Sequence, residues 1–188
     1  MKEPIELLVP DDRRKAGHYE ILGETYAKFE FFENGWNPYS RFLDVDKVDV
    51  LLRKKINGKK IYREVQVKYG KLFTSLEGWA QEFFDATSWR FFKEDAFNAY
   101  VNDPDFFIAY VLAADIGYRG DIFIFPVRHF VEILRYGIPS KQQRKVLLSR
   151  LKGQQDRWVL RKVRRFSSID EGTCVDVSKY WRNFAILG

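Results

Sequence analysis

The pair Asn57-Gly58 stands between two runs rich in β-branched residues, VDVLLRKKI before it and KKIYREVQVK after it. A type I′ turn needs positive φ at both central positions, and Asn-Gly accepts that geometry most readily. A hairpin with these two residues in its loop has a fixed register. Leu51 then faces Glu64, Asp49 faces Gln66 and Lys47 faces Lys68. Side chains alternate along a strand, so Lys47, Asp49, Glu64, Gln66 and Lys68 share one face, and Val48, Val50, Leu52, Val65 and Val67 the other. One face is a core surface. The other gathers an acid, an amide and a lysine within about 5 to 8 Å across the strands. A solvated outer face with some ion pairing accounts for such a pattern in an ordinary hairpin. Here the polar groups cluster at the end away from the turn, with aromatic-rich segments on both sides in sequence. A sheet covered on both faces leaves them lining a cleft, where charge needs a partner or a purpose.

Around the hairpin the pattern is α/β, with a mixed sheet flanked by helices. Asp11 or Asp12 can cap a helix running to about Glu33, with Leu22, Tyr26, Phe29 and Phe32 at helical spacing and Gly35 after its end. Gly17 and Gly23 interrupt that helix. Strands are predicted at about 36 to 43, 47 to 55 and 60 to 69, then a helix from about 76 to 93 burying Trp79, Phe83 and Phe84, with Trp89 a further candidate. DFFIAYVLAAD and DIFIFPV read as strands buried on both faces. Short helices near 128 to 136 and 140 to 151, a strand at 157 to 163 and a closing helical turn at 177 to 183 complete the chain. A single domain over 1–188 is expected, with a core at about 13–127 and a basic C-terminal elaboration at about 128–188.

Composition excludes several classes. With 46% apolar and 17% aromatic residues the chain is not disordered. Cys174 is alone, so neither an internal disulfide nor a cysteine zinc site is available, and a reducing compartment is expected. The beginning MKEPIELLVPDDRR has no leader-like apolar run, and nowhere do eighteen apolar residues follow one another. A cytoplasmic protein without a membrane span is the expectation. No glycine-rich phosphate loop points to a nucleotide or other small-molecule cofactor. The only histidines are His18 and His129, too few for a histidine-rich centre, and His129 reads as a helix-start residue. Asp44 and Asp46 before the hairpin are candidate extra ligands or ordinary loop acids. Tyr69 and Trp36 are candidates for stacking, with core packing the simpler fate of Trp36.

The formal charge of +6 is unevenly spread. From Lys141 to Arg165 ten basic residues meet one acid, Asp156, so this stretch outweighs the whole chain and leaves the remainder net acidic. A basic block on such a body is the footprint of a polyanion binder, although a solvated face also carries charge. Lys141, Arg144, Lys145, Arg157, Arg161, Lys162, Arg164 and Arg165 are the residues expected to meet phosphates.

The hairpin VDVLLRKKINGKKIYREVQVK resembles the active-site hairpin of the PD-(D/E)XK nucleases, in which an Asp on one strand is followed by (D/E/Q)-x-K on the next. The stretch GETYAKFEFFENGW before it resembles the first core helix of the resolvase and Mrr-like branches. The likeness runs from about Gly23 to Lys93. It implies a restriction-endonuclease-like core of order αβββαβ and a DNA endonuclease dependent on Mg²⁺ or Mn²⁺, working as a homodimer. Asp49 would bind the metal, and Lys68 would orient the attacking water and stabilise charge on the phosphate. Glu24 would support the metal from the helix, with Glu20 as its rival. At the middle position, where Glu or Asp is commonest, this chain has Gln66, a variant that the resemblance to Mrr-like members accommodates. Gln66 removes one negative charge, which also fits an inactive nucleic-acid-binding relative. Glu64, two residues earlier on the same face, is the candidate to compensate.

Overall fold

The computed structural model describes residues 12–40, 47–74, 78–114 and 117–188, with side chains from His18 onward. The hairpin forms as its turn predicts. Strands β2 (Val50–Ile56) and β3 (Lys59–Phe73) pair antiparallel, Ile56 with Lys59, Leu51 with Glu64 and Val50 with Val65. Asn57 and Gly58 take φ of 50° and 81°, as a type I′ turn demands. The ladder then ends. Lys47 has φ 55°, and the Asp49 amide donates to the Val65 carbonyl at 3.0 Å, so that Asp49 and Val50 both address Val65. This is a bulge, which re-aims side chains. Its consequence is visible in Val48, expected beside Val50 but packed in the opposite core. The pairing of Lys47 with Lys68 is not made.

Two sheets share β3. The first runs β1 (Asn37–Ser40), β2, β3, β5 (Phe106–Ala114), β6 (Gly117–Pro126), with β3 and β5 parallel and the other pairs antiparallel. The second contains β4 (Phe84–Lys93), β8 (Gln143–Leu151), β9 (Trp158–Arg161) and β10 (Cys174–Asp176), with β7 (Ile138–Ser140) beside β8. Lys71 of β3 still pairs with Ala113, whereas Leu72 and Phe73 pair with Ser88 and Thr87 of β4. The class is mixed α/β, and the order opens α-β-β-β-α-β. Among the described residues no helix is long and apolar enough to cross a membrane.

Two predicted helices are strands. Over the described part of that stretch, 78 to 93, one helical turn forms, α2 (Ala80–Phe83), and Phe84–Lys93 is β4. The aromatic spacing that looked helical also fits a strand, with Phe84, Ala86, Ser88 and Phe92 buried. Pairing with β8 from Phe84 to Lys93 decides the matter, because long-range partners override local preference. The stretch expected as a helix at 140 to 151 is that partner strand, β8. By contrast α3 (Val127–Tyr136) forms at its expected place, with His129 in its first turn.

Helix α1 (Asp12–Glu33) is helical from the first described residue, and the predicted cap at Asp11 lies outside the described residues. It ends in a Schellman motif, in which Trp36 N–H donates to Phe31 O at 3.0 Å and Gly35 N–H to Phe32 O at 2.9 Å. Gly35, at φ 78°, supplies the left-handed residue. The buried face differs from the expected one: Gly23, Ala27, Glu30 and Phe31 point inward, while Phe29 and Phe32 are exposed. Gly23 is therefore a packing position rather than an interruption. A Cβ there would stand 3.1 Å from Tyr69 Cβ, so the small residue sets how closely α1 approaches β3. Buried Glu30 is paired, accepting from both Arg182 Nη atoms at 3.0 and 3.1 Å and from the Tyr118 hydroxyl at 2.7 Å.

The first sheet separates two apolar clusters. One, under α1, holds Phe31, Trp36, Val65, Val67 and Ala109. The other fills the angle between the sheets and α3, with Ile108, Tyr110, Leu112, Phe125 and Phe130. Gly70 sits where β3 passes from one sheet to the other. A Cβ added there would meet Ser88 Oγ and Tyr110 Oη at 2.7 Å and Leu112 Cδ2 at 2.8 Å. Gly70→Ala should thus destabilise the protein by about 1 to 3 kcal/mol, the usual cost of overpacking a closed site; a denaturant midpoint equal to wild type would show that the sheets can part. Burial pushes Tyr110 up to about 12, against the opposing charge of Arg90. A raised folded pKa means that stability is intact below pH 10 and lost as pH rises through 12. Thermal melts from about pH 8 to 12 should fall above pH 10, with a smaller decline in Tyr110→Phe.

Candidate functional site

Among the described residues, the end of one ladder and the start of the next leave part of β3 with no strand ladder on one side. Pairing with β2 stops at Val65 and pairing with β4 begins at Leu72, while β5 covers the other side throughout. Strand groups in such a gap need other partners. Here side chains supply them: Val67 N–H donates to Asp49 Oδ2 at 2.6 Å, and Tyr69 O accepts from Arg90 Nη1 at 2.6 Å. The bulge at Asp49 is what turns its carboxylate onto this edge. Above the edge lies a cleft of about 510 Å³, walled by Tyr19 and Glu20 of α1, by Val67 to Lys71 of β3, and by Trp89, Arg90 and Phe91 of β4.

The expected site residues gather only in part. Lys68 and Glu20 line the cleft. Asp49 reaches its wall through Val67. Gln66 is 7% exposed, one residue behind the wall, and its Oε1 is buried without a hydrogen-bond partner among the described residues. Such an orphaned oxygen costs about 1 to 3 kcal/mol unless something binds it. Glu24 instead pairs with Lys28 at 3.3 Å and does not line the cleft. Glu64 faces Leu51, nearer the turn. Among the described residues no group of three or more His, Cys, Asp or Glu stands ready to hold a metal ion. Asp44 and Asp46 lie outside the described residues.

Behind the cleft Ser88 Oγ and Tyr110 Oη, both buried, close no hydrogen bond of sound geometry with each other or with any other described residue. The neighbouring strand position matters here, because Lys68 pairs with Tyr110 across β3 and β5. Three buried oxygens, those of Gln66, Ser88 and Tyr110, thus belong to residues packed around one short length of β3.

The basic stretch is not one uniform surface. Arg144 is paired with Glu94 at 2.6 Å and Arg157 with Asp176 at 3.0 Å. Arg161 is buried, donates to Arg164 O and lies against Trp79, Phe84 and Phe166, so it holds the second sheet's outer cluster. Lys162 donates to Glu171 O and sits over Tyr136. Lys145 lies over Trp89 at 4.4 Å. Lys141, Arg164 and Arg165 are exposed. Of the stacking candidates, Trp36 is core and Tyr69 stacks on Tyr19 at 5.1 Å.

Reading 76 to 93 as a helix hid the β4 wall of the cleft, Trp89, Arg90 and Phe91. The signal that finds them is the strand-like alternation of FDATSWRFFK. Tyr19 had no such signal, since only the packing of α1 brings it to β3.

No protein-family model matches this chain. No curated protein matches it either. Among solved structures, a bacterial homing endonuclease, I-Ssp6803I, aligns over 92% of this chain and 91% of its own, with 11% identity and a TM-score of 0.45.

Proposed function

We propose that this protein is a divalent-metal-dependent DNA endonuclease with its reactive centre at the open edge of β3, made of Asp49, Gln66 and Lys68. The observation that carries this reading is the buried Oε1 of Gln66, without a hydrogen-bond partner among the described residues and one residue from the amide held by the Asp49 carboxylate. A hard cation such as Mg²⁺ or Mn²⁺ accepts one or two carboxylates with neutral oxygens and waters, so one acid and one amide oxygen fit it without a three-acid cluster. Asp49 and Gln66 would hold the ion. Glu20 is the supporting acid by position, since it shares the cleft with Lys68 whereas Glu24 is occupied by Lys28.

When bound, the ion neutralises phosphate charge and lowers the pKa of a coordinated water. Lys68 holds positive charge at the cleft wall, where it opposes the negative charge that grows on the phosphate as a water oxygen attacks phosphorus and the ester P–O bond breaks. Asp49 keeps its carboxylate aimed through its bond to Val67. Cutting both strands of a duplex calls for two such sites, and a homodimer is proposed for that reason. The second reading, a nucleic-acid-binding protein of this fold without catalysis, is favoured by the missing charge at Gln66.

Plasmid cleavage separates them. Wild type should nick or cut in Mg²⁺ or Mn²⁺ and stop in chelator, and Asp49→Asn or Lys68→Ala should lower the rate about a hundredfold or more. Glu20→Gln should cost more activity than Glu24→Gln. Binding with no cleavage in either metal supports the second reading; wild-type rates in both Asp49→Asn and Lys68→Ala remove the assigned site. Affinity should also depend on salt. Replacing Lys141, Arg164 and Arg165 by Gln should flatten the plot of log K against log salt by about 0.9 for each phosphate no longer neutralised, and an unchanged slope would take them off the interface.

A further inference from the structure

Two large aromatic side chains stand exposed on the outer face of β4 where it walls the cleft. Trp89 is 43% and Phe91 40% exposed, and their rings meet edge to face at 5.8 Å. Strand alternation puts both on one side of the second sheet, away from buried Ser88 and Phe92. Lys145, opposite Phe91 in the register, lays its ammonium 4.4 Å from the Trp89 ring and 5.9 Å from that of Phe91. Its pKa is lowered, first by burial and then by the charges of Arg164 and Arg161. Of the acids beyond Phe91, Glu94 is taken up by Arg144, and Asp95 shares the adjoining hollow with Lys93 and Lys141.

Apolar rings ordinarily reach an exposed sheet face only at a cost in free energy, and a contiguous pair marks an interaction surface. Cations around the rings select a polyanion. Intact duplex DNA satisfies the charge but not the rings, because each base has both π-faces covered by its neighbours in the stack. An unpaired base offers a free π-face together with its phosphate. Stacking on aromatics set in a positively charged groove is how single strands are held without reading their sequence.

We propose that Trp89 and Phe91, with Lys145, form a stacking platform for unpaired nucleotides of a DNA strand whose phosphate lies in the adjoining cleft. The substrate class is then DNA with a displaced, bulged or branched strand beside the scissile bond, in preference to a continuous duplex. This rests on the nuclease reading for the cleft, but binding tests it separately.

The experiment compares two labelled duplexes of one sequence, one continuous and one with a short unpaired bulge carrying 2-aminopurine, in chelator so that no strand is cut. Wild type should bind the bulged duplex about ten- to a hundredfold more tightly and quench the 2-aminopurine. Trp89→Ala with Phe91→Ala should bring the two affinities together and abolish quenching, while Trp89→Phe alone should keep most of the preference. Equal affinities in wild type, or a preference that survives the double variant, overturns the platform. So does a double variant that changes only self-association in sedimentation, which would make the rings an interface between copies. Cleavage in Mg²⁺ is scored apart: a preference for unpaired DNA without cutting leaves the platform and removes the nuclease, and cutting that ignores both the bulge and the rings does the reverse.

Discussion

The strand β3 belongs to two sheets, and the remainder of the molecule is arranged around that fact. Its turn-proximal part, Lys59 to Val65, is held by β2, Glu64 to Lys71 by β5, and its last residues by β4. A strand cannot lie in two differently oriented sheets along its whole length, and among the described residues no second ladder runs beside β3 between Val65 and Leu72. Backbone groups left that way are costly when buried. Side chains from β4 and from the bulge before β2 meet them instead, and the gap becomes a cleft. Gly70 marks the crossing, where any side chain would fill the space used by Ser88, Tyr110 and Leu112.

The approach of α1 sets the cleft's other wall. Gly23 and Ala27 let the helix sit close on Val67 and Tyr69, and the paired Glu30 ties its far end to Arg182 near the C-terminus. That charge pair is buried on the Glu30 side and satisfied on both carboxylate oxygens, the condition under which a buried ion pair is tolerated. Tyr19 and Glu20, one turn before Gly23, are thereby brought over the β3 edge. Positive charge is divided in the same physical way. In the basic stretch, Arg144, Arg157 and Arg161 have an acid or an aromatic cluster beside them, while Arg164 and Arg165 stay at the surface.

Local chemistry made much of this legible. The Asn57-Gly58 turn determined the register down to Val50, because a type I′ turn admits few residues and fixes the pairing on both sides. Gly35 ended α1 where a left-handed residue was needed. The continuous apolar runs of β5 and β6 read as buried strands, being short and rich in β-branched and aromatic residues. Alternation along the predicted hairpin singled out Asp49, Gln66 and Lys68 as candidates, although the ladder ends at Val50 and Val65, before the expected pairing of Asp49 with Gln66.

What the sequence could not determine was decided by partners far away along the chain. Residues 84 to 93 and 143 to 151 carry spacings that suit a helix or a strand, and each became a strand because the other lay alongside it. The inward face of α1 fell on glycine and alanine because β3 demanded close approach, although Phe29 and Phe32 are the larger apolar groups. The bulge at Asp49 ended the predicted pairing and sent Val48 to the opposite core. Residue type and spacing determined the hairpin, the end of α1 at Gly35 and the choice of acid, amide and lysine for the candidate site. Only tertiary packing, which sets the long-range pairings that local propensity does not encode, decided that these residues border an open strand edge walled by Trp89, Arg90 and Phe91.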